Sequence, residues 1–181
     1  DLKQVVIFQN ATDDELHSIL KNSITRSIEE GSFFFLQGDQ ATHLYILTSG
    51  QVKLTQSNPS GQQVNLRTIH PWQMFGALGA VRKDATYPAT AQALEDSSAL
   101  AVESGFLRKM LETSQHISFD LMTLMTSYIL EMQERYRELA TERVEQRVAN
   151  TLIRLAGQAG VKSEKDAAIV LSFSRQDVAE M

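Results

Sequence analysis

The chain has 181 residues, 43% of them hydrophobic, with 17 basic and 22 acidic side chains and a net charge of −5. That is enough for one comfortable core or two small ones, and the acidic balance argues against a nucleic-acid surface within this span, because such surfaces draw their affinity from neutralising phosphates. The absence of cysteine excludes disulfides, thiolate metal sites and cysteine-ligated iron–sulfur clusters from it, and is compatible with a cytoplasmic location.

No apolar run approaches the roughly 18 residues of a membrane span; Ser32 to Leu36 is short and ends at Gln37. Nor does the N-terminus show the basic, apolar and small-residue order of a secretion signal. Thr12 opens TDDELHSILKNS with Glu15 three residues on, the spacing of a capping box, and Leu16, Ile19 and Leu20 give the resulting helix one apolar face. From about Val5 to Leu100, short apolar runs alternate with turn signals: FFFL before QGD, HLYIL before TSG, VKLTQ before NPSG, VNLRTI before HPW. Val52 and Leu54 alternate with Lys53 and Thr55, and Asn58 to Gly61 make a strong turn between two strands. Short strands at near-regular spacing predict a sandwich or jelly roll rather than a βαβ fold.

After Ser104, FLRKMLETS reads as a short helix, and from about Gln115 to Leu139 there is neither proline nor glycine. In that stretch Leu121, Met125, Tyr128, Met132, Arg135 and Leu139 follow steps of 4, 3, 4, 3 and 4, a heptad seam of the kind that packs along a partner helix. A 25-residue helix needs about 37 Å of support, which a second copy supplies more readily than a small β domain. Next, Val144, Val148, Leu152 and Leu155 form an apolar stripe closed by Gly157. A polar loop and the strand-like AAIVLSF lead to Ser174, with Asp177 three residues on, a helix start. Only seven residues follow Ser174, marginal for a self-supporting helix, so a continuation is expected past Met181.

Taken together, EEGSFFFLQGDQATHLYILTSGQVKL, PSGQQVNLRTIHPWQMFGALGAV, ATAQALEDSSALAV, RVANTLIRLA and SRQDVAEM resemble the Crp-Fnr family of bacterial transcription regulators, that of the cyclic AMP receptor protein and the fumarate–nitrate reductase regulator. Glycines 31, 38, 50, 61 and 76 sit where that family's β-roll turns. The resemblance implies an α+β chain: a β-roll effector domain (a jelly roll, or double-stranded β-helix, like the cyclic-nucleotide-binding domains) over 1–113, a dimerisation helix over 114–140, and the start of a winged helix-turn-helix over 141–181, without its reading helix. Double-stranded DNA and a second copy are the implied partners, with RNA polymerase a further candidate. Arg175 matches the family's phosphate-contacting arginine, and a guanidinium near a helix N-terminus suits a phosphate oxygen; Arg154 and Lys162 are weaker candidates. In this picture an effector in the roll re-aims the DNA-binding domains by shifting paired helices around Met125, Tyr128 and Met132.

The cyclic-nucleotide-binding members carry a Gly-Glu-Leu turn and a later Arg-Ser or Arg-Thr pair, which neutralise and cradle the phosphate and hold the ribose. Here the turn is Gly76, Ala77, Leu78, and the later pair is Tyr87, Pro88. Ala77 cannot accept a hydroxyl, Tyr87 has no charge and Pro88 has no N–H; Arg82 and Lys83 lie nearby in a predicted loop. Cyclic AMP bound in the usual manner is therefore not expected, and the effector remains open. YPATAQA is closer to the nitric-oxide-responsive branch, where haem with an axial histidine is the option; the candidates are His17, His43, His70 and His116, each also readable as a surface or turn histidine. The alternative of another class is a ligand-binding module without DNA binding, which leaves Val144 to Met181 unexplained. An enzyme is not expected: there is no His-x-His of a cupin metal site, no nucleophile elbow and no P-loop, and Asp39, Glu95 and Asp96 read as turn residues.

Overall fold

The computed structural model describes residues 2–141 together with Gln146, Ala149, Asn150 and Ile153. The expected stripe from Val144 to Leu155, the strand before Ser174, and Arg154, Lys162 and Arg175 lie outside the described residues. Two compact units divide the chain, Asp1–Thr126 and Ser127–Met181.

Two 3-10 turns, Leu2–Gln4 and Val6–Phe8, precede helix α1, Asp13–Lys21. The helix starts where the sequence places it. The Thr12 hydroxyl accepts from the Glu15 N–H, and the Glu15 carboxylate accepts from the Thr12 N–H, so two otherwise orphaned amides are satisfied. Strands β1 (Ser23–Ile28), β2 (Phe33–Phe35), β3 (His43–Ser49), β4 (Val52–Ser57), β5 (Gln63–Ile69) and β6 (Met74–Phe75) lead to the single-turn helix α2, Leu78–Val81. Strands β7 (Thr90–Ala93) and β8 (Ser97–Glu103), then α3 (Ser104–Thr113) and α4 (Gln115–Thr141), complete the described chain.

The strands form two antiparallel four-stranded sheets, ordered β1-β8-β3-β6 and β2-β7-β4-β5. This is the predicted jelly roll. Consecutive strands cross between the sheets except β4 and β5, which form a hairpin within one sheet, and each of the five glycines assigned to turns has a positive φ.

The β1-β8-β3-β6 sheet separates two cores by the period-2 alternation of its strands. Leu44 and Ile46 of β3 and Val102 of β8 join Phe8, Ile19, Leu107 and Ile117 on the helical side. Tyr45 and Leu47 of β3 and Ala99 and Ala101 of β8 face the other sheet. There, alanines 91, 93, 99 and 101 leave room that Phe34, Phe35, Tyr45, Phe75 and Tyr87 fill.

Candidate functional site

The stretch matching the phosphate turn begins at Gly76, whose φ of +76° suits glycine. Ala77 has helical backbone and no side-chain cap, and it leads directly into α2. The turn is tightly seated. A Cβ on Gly79 would lie 1.8 Å from the Ala41 carbonyl oxygen, the same oxygen that accepts from the Ser104 hydroxyl at 3.0 Å. Arg108 of α3 donates to the Gly79 carbonyl. A short side chain here would therefore have to push two elements apart.

The space beneath this turn is occupied by Tyr87. Its ring stacks on Phe35 with centroids 3.7 Å apart and planes 13° from parallel. A Cβ on Gly76 would stand 3.1 Å from the Tyr87 ring and 3.2 Å from that of Phe35, so the turn rests on the stack. The Tyr87 hydroxyl donates to the His43 carbonyl at 2.7 Å and accepts from the His43 N–H at 3.1 Å. Burial pushes its phenol up to about 12, against the lowering effect of the His43 bond. Its backbone is fixed as well: the Tyr87 N–H donates to Asp39 and its carbonyl accepts from Gly38.

Among the five residues assigned to the effector pocket, Tyr87 is thus a packed core ring that closes the space, while Leu78 and Pro88 are exposed. Arg82 and Lys83 are exposed beyond α2 and do not enter the roll. The positive side chain at the turn, Arg108, donates to the Gly79 carbonyl, and a buried phosphate there would have to displace the Tyr87–Phe35 stack.

The four histidines lie apart. His17 is exposed on α1, and its Nδ1–H donates to the Asp13 carbonyl at 2.7 Å. Burial and the Arg26 charge hold His43 below the usual imidazole range, against a weaker upward pull from Glu103. Burial and Arg67 do the same to His70. His116 bonds Glu15 through Nε2 at 3.0 Å, a link between α1 and the first turn of α4. The His43 ring lies at the edge of the aromatic interior, 6.1 Å from that of Tyr45. His17 borders an apolar cleft of about 350 Å3, with its Nδ1 engaged on the Asp13 carbonyl. Among the described residues no group of three or more His, Cys, Asp or Glu could hold a metal ion.

Helix α4 carries the seam residues, but not all on an open face. Leu121 is buried in the roll's helical-side core and Met125 packs partly against it, which corrects the assignment of these two to a free seam: the first turns of the helix pack that face on its own domain. Tyr128 and Arg135 are half-buried, with Arg135 paired to Glu131 at 2.6 Å. Met132 and Leu139 are open, and so are Phe119, Met122, Ile129, Leu130 and Tyr136. Phe119, Met122, Thr126, Ile129, Gln133 and Tyr136 follow steps of 3, 4, 3, 4 and 3, a heptad register distinct from the expected one. The heptad from Leu121 to Leu139 runs along a neighbouring face of the helix and so does not reveal this stripe. Nor does the sequence carry a local signal for the Tyr87 clamp.

Comparison with known proteins adds the following. Residues 25–114 match the model of the cyclic nucleotide-binding domain. The anaerobic regulatory protein of Bacillus subtilis is 26% identical over 167 residues, which take in 92% of this chain and 70% of that protein. Among solved structures, the c-di-GMP-responsive global regulator CLP of Xanthomonas campestris superposes with a TM-score of 0.80 at 19% identity, covering 94% of this chain and 84% of that one, a likeness of fold. The catabolite activator protein of Thermus thermophilus is 26% identical with a TM-score of 0.66, covering 86% of this chain and 72% of its own.

Proposed function

The chain belongs to the Crp-Fnr family of transcription regulators, and from that premise we propose that it is a DNA-binding regulator acting as a homodimer, whose roll does not take a cyclic nucleotide through the phosphate turn. The observation that carries the reading is the open face of α4. Seven large apolar side chains on one helix, from Phe119 to Leu139, are each more than half exposed. A second copy of the same helix is the partner that a 3,4 repeat of such residues fits, knob into hole, and a contiguous exposed apolar stripe of this size marks an interaction surface. Relatives that are transcription regulators support double-stranded DNA as the target. Arg175, at the expected first turn of the helix-turn-helix, is the proposed phosphate contact.

The Tyr87–Phe35 stack beneath the turn supports a mode of regulation other than the cyclic AMP activation named for the CRP-like regulator of Mycobacterium tuberculosis. A haem-dependent nitric oxide response has no observation in its favour here. The test is sedimentation at micromolar concentration together with calorimetry against cyclic AMP. A dimer that Ile129→Lys dissociates, and no heat from cyclic AMP, are expected. An Ile129→Lys protein that remains a dimer would overturn the assignment of the interface, and saturable cyclic AMP binding would overturn that of the turn.

A further inference from the structure

Trp72 has a φ of +68°, a left-handed conformation that costs a bulky side chain and survives only where the surroundings impose it. They do so here. The Trp72 N–H donates to the Leu47 carbonyl at 2.7 Å, and the Leu47 N–H donates to the Gln73 carbonyl at 3.0 Å. The His70 N–H is held by the Gln73 side chain at 3.1 Å. The strained turn places the indole beside a cleft of about 350 Å3 on the helical side of the roll. Leu2, Leu16 and Leu100 line it, Leu20 borders it, and Asp13, His17 and Thr48 stand with them. Leu20, expected on the buried face of α1, is half exposed at 50% because the cleft lies where its packing partner would be.

The chemistry of the walls narrows what could sit there. Aliphatic side chains and one flat indole suit a flat, apolar molecule. The polar groups are mostly acceptors. His17 uses Nδ1–H on the Asp13 carbonyl, which leaves Nε2 as an acceptor. The Asp13 carboxylate is paired with Lys3 at 3.0 Å, and the Thr48 hydroxyl donates to the Ser98 carbonyl at 2.8 Å. An anion would meet the Asp13 carboxylate, and Lys3 is already engaged with it.

We propose that this cleft, rather than the roll interior, is the small-molecule site, and that its ligand is a small neutral aromatic compound carrying one N–H or O–H donor. This rests on the reading of the chain as a regulator, and deepens it by moving the effector to a second place in the same domain. The cleft is connected to the long helix. Asp13, Leu16, His17 and Leu20 all belong to α1, whose Glu15 accepts from His116. Just before α1, the Asn10 amide donates to Asp120 at 3.1 Å. A ligand that moves α1 therefore acts on the first turns of α4.

Trp72 is the only tryptophan in the chain, so the cleft carries its own reporter. The probe is N-phenyl-1-naphthylamine, a neutral aromatic amine with one N–H, whose absorption overlaps indole emission. Titrated into the full chain, it is expected to take energy from Trp72 saturably, at one probe per chain and in the micromolar range. Leu20→Lys, at a half-exposed position, should weaken binding at least tenfold. His17→Phe, which keeps apolar contact and removes the acceptor, should weaken it a few-fold, and Ile24→Lys, exposed outside the cleft, should leave it unchanged. Absence of saturable transfer, or transfer that Leu20→Lys leaves intact, would overturn the proposal. Retention on long double-stranded DNA at low salt is measured in parallel: its loss with probe binding intact would sink the regulator reading and spare the cleft, and the reverse pattern would sink the cleft alone.

Discussion

Removing the Tyr87 hydroxyl, as Tyr87→Phe, isolates the clamp that holds the roll interior closed. The ring and its 3.7 Å stacking on Phe35 are retained, and the residue is 3% exposed, so no cavity larger than one oxygen forms. What is lost is a donated bond to the His43 carbonyl at 2.7 Å and an accepted bond from the His43 N–H at 3.1 Å. The first contributes about 1 kcal/mol, and leaving a partly buried amide without its acceptor costs about 1–3 kcal/mol, for a total of roughly 2–4 kcal/mol. With a urea dependence of about 2 kcal/mol per molar, the midpoint should fall by about 1–2 M. The same hydroxyl has an alkaline signature. Its ionisation is pushed up to about 12 from 10.0, chiefly by burial, so the folded state favours the neutral phenol. The stability this confers is fully present below pH 10 and is lost as pH rises toward 12. Phenolate absorbance should therefore show one late-titrating tyrosine, absent from Tyr87→Phe. A variant with an unmoved midpoint and unchanged exchange at the His43 amide would refute the clamp.

Glu15 gives the acid counterpart. Partial burial raises its carboxyl, but hydrogen bonds from Thr12, Ser114 and His116 outweigh this and bring it from 4.5 to about 2. The stability it adds is present above pH 4.5 and lost as pH falls toward 2. Linkage sets an upper limit of about 3 kcal/mol, reduced to about 1–2 kcal/mol because the side chain retains 22% exposure. Glu15→Gln should flatten that acid limb in urea melts recorded near pH 7 and pH 3. Gly79→Ala, which sets a methyl 1.8 Å from the Ala41 oxygen, should cost about 2–4 kcal/mol through overpacking, read by thermal melting. Leu121→Ala should cost the roll about 2–4 kcal/mol and leave the sedimentation coefficient that of a dimer.

What was legible in the sequence was local. The Thr12–Glu15 capping box, the Asn58–Gly61 turn and the five turn glycines are set by contacts within a few residues, and each stands where its residue type requires. The glutamate and arginine missing from the phosphate turn were legible too, as absences at positions 77 and 87. What replaced them was not. Phe35 and Tyr87 are 52 positions apart in the chain, and only the pairing of β2 with β7, and the alanines that clear space between the sheets, bring their rings together. Trp72 is a second case. Nothing in HPWQM announces a left-handed residue, because the turn is imposed by Leu47 from another strand.

Helix α4 shows why a heptad alone leaves the partner undetermined. Leu121 and Met125 begin one 4,3 repeat, Phe119 and Met122 begin another, and the two run along different faces of the same helix. A helix with a single apolar stripe can bury it either on its own domain or on a second copy. This one carries two stripes, and the roll takes the first turns of one, with Leu121 7% exposed in its core. Burial of a large apolar side chain is worth about 1.5–3 kcal/mol, so the remaining stripe of Phe119, Met122, Ile129 and Tyr136 has a strong drive to be covered and no role in closing the roll. In the proposed dimer this divides the labour in a way single substitutions separate: Leu121 holds the helix on its own domain, whereas Ile129, on the neighbouring face, would hold it to the second copy, so a Leu121 variant is expected to lose domain stability and an Ile129 variant the dimer.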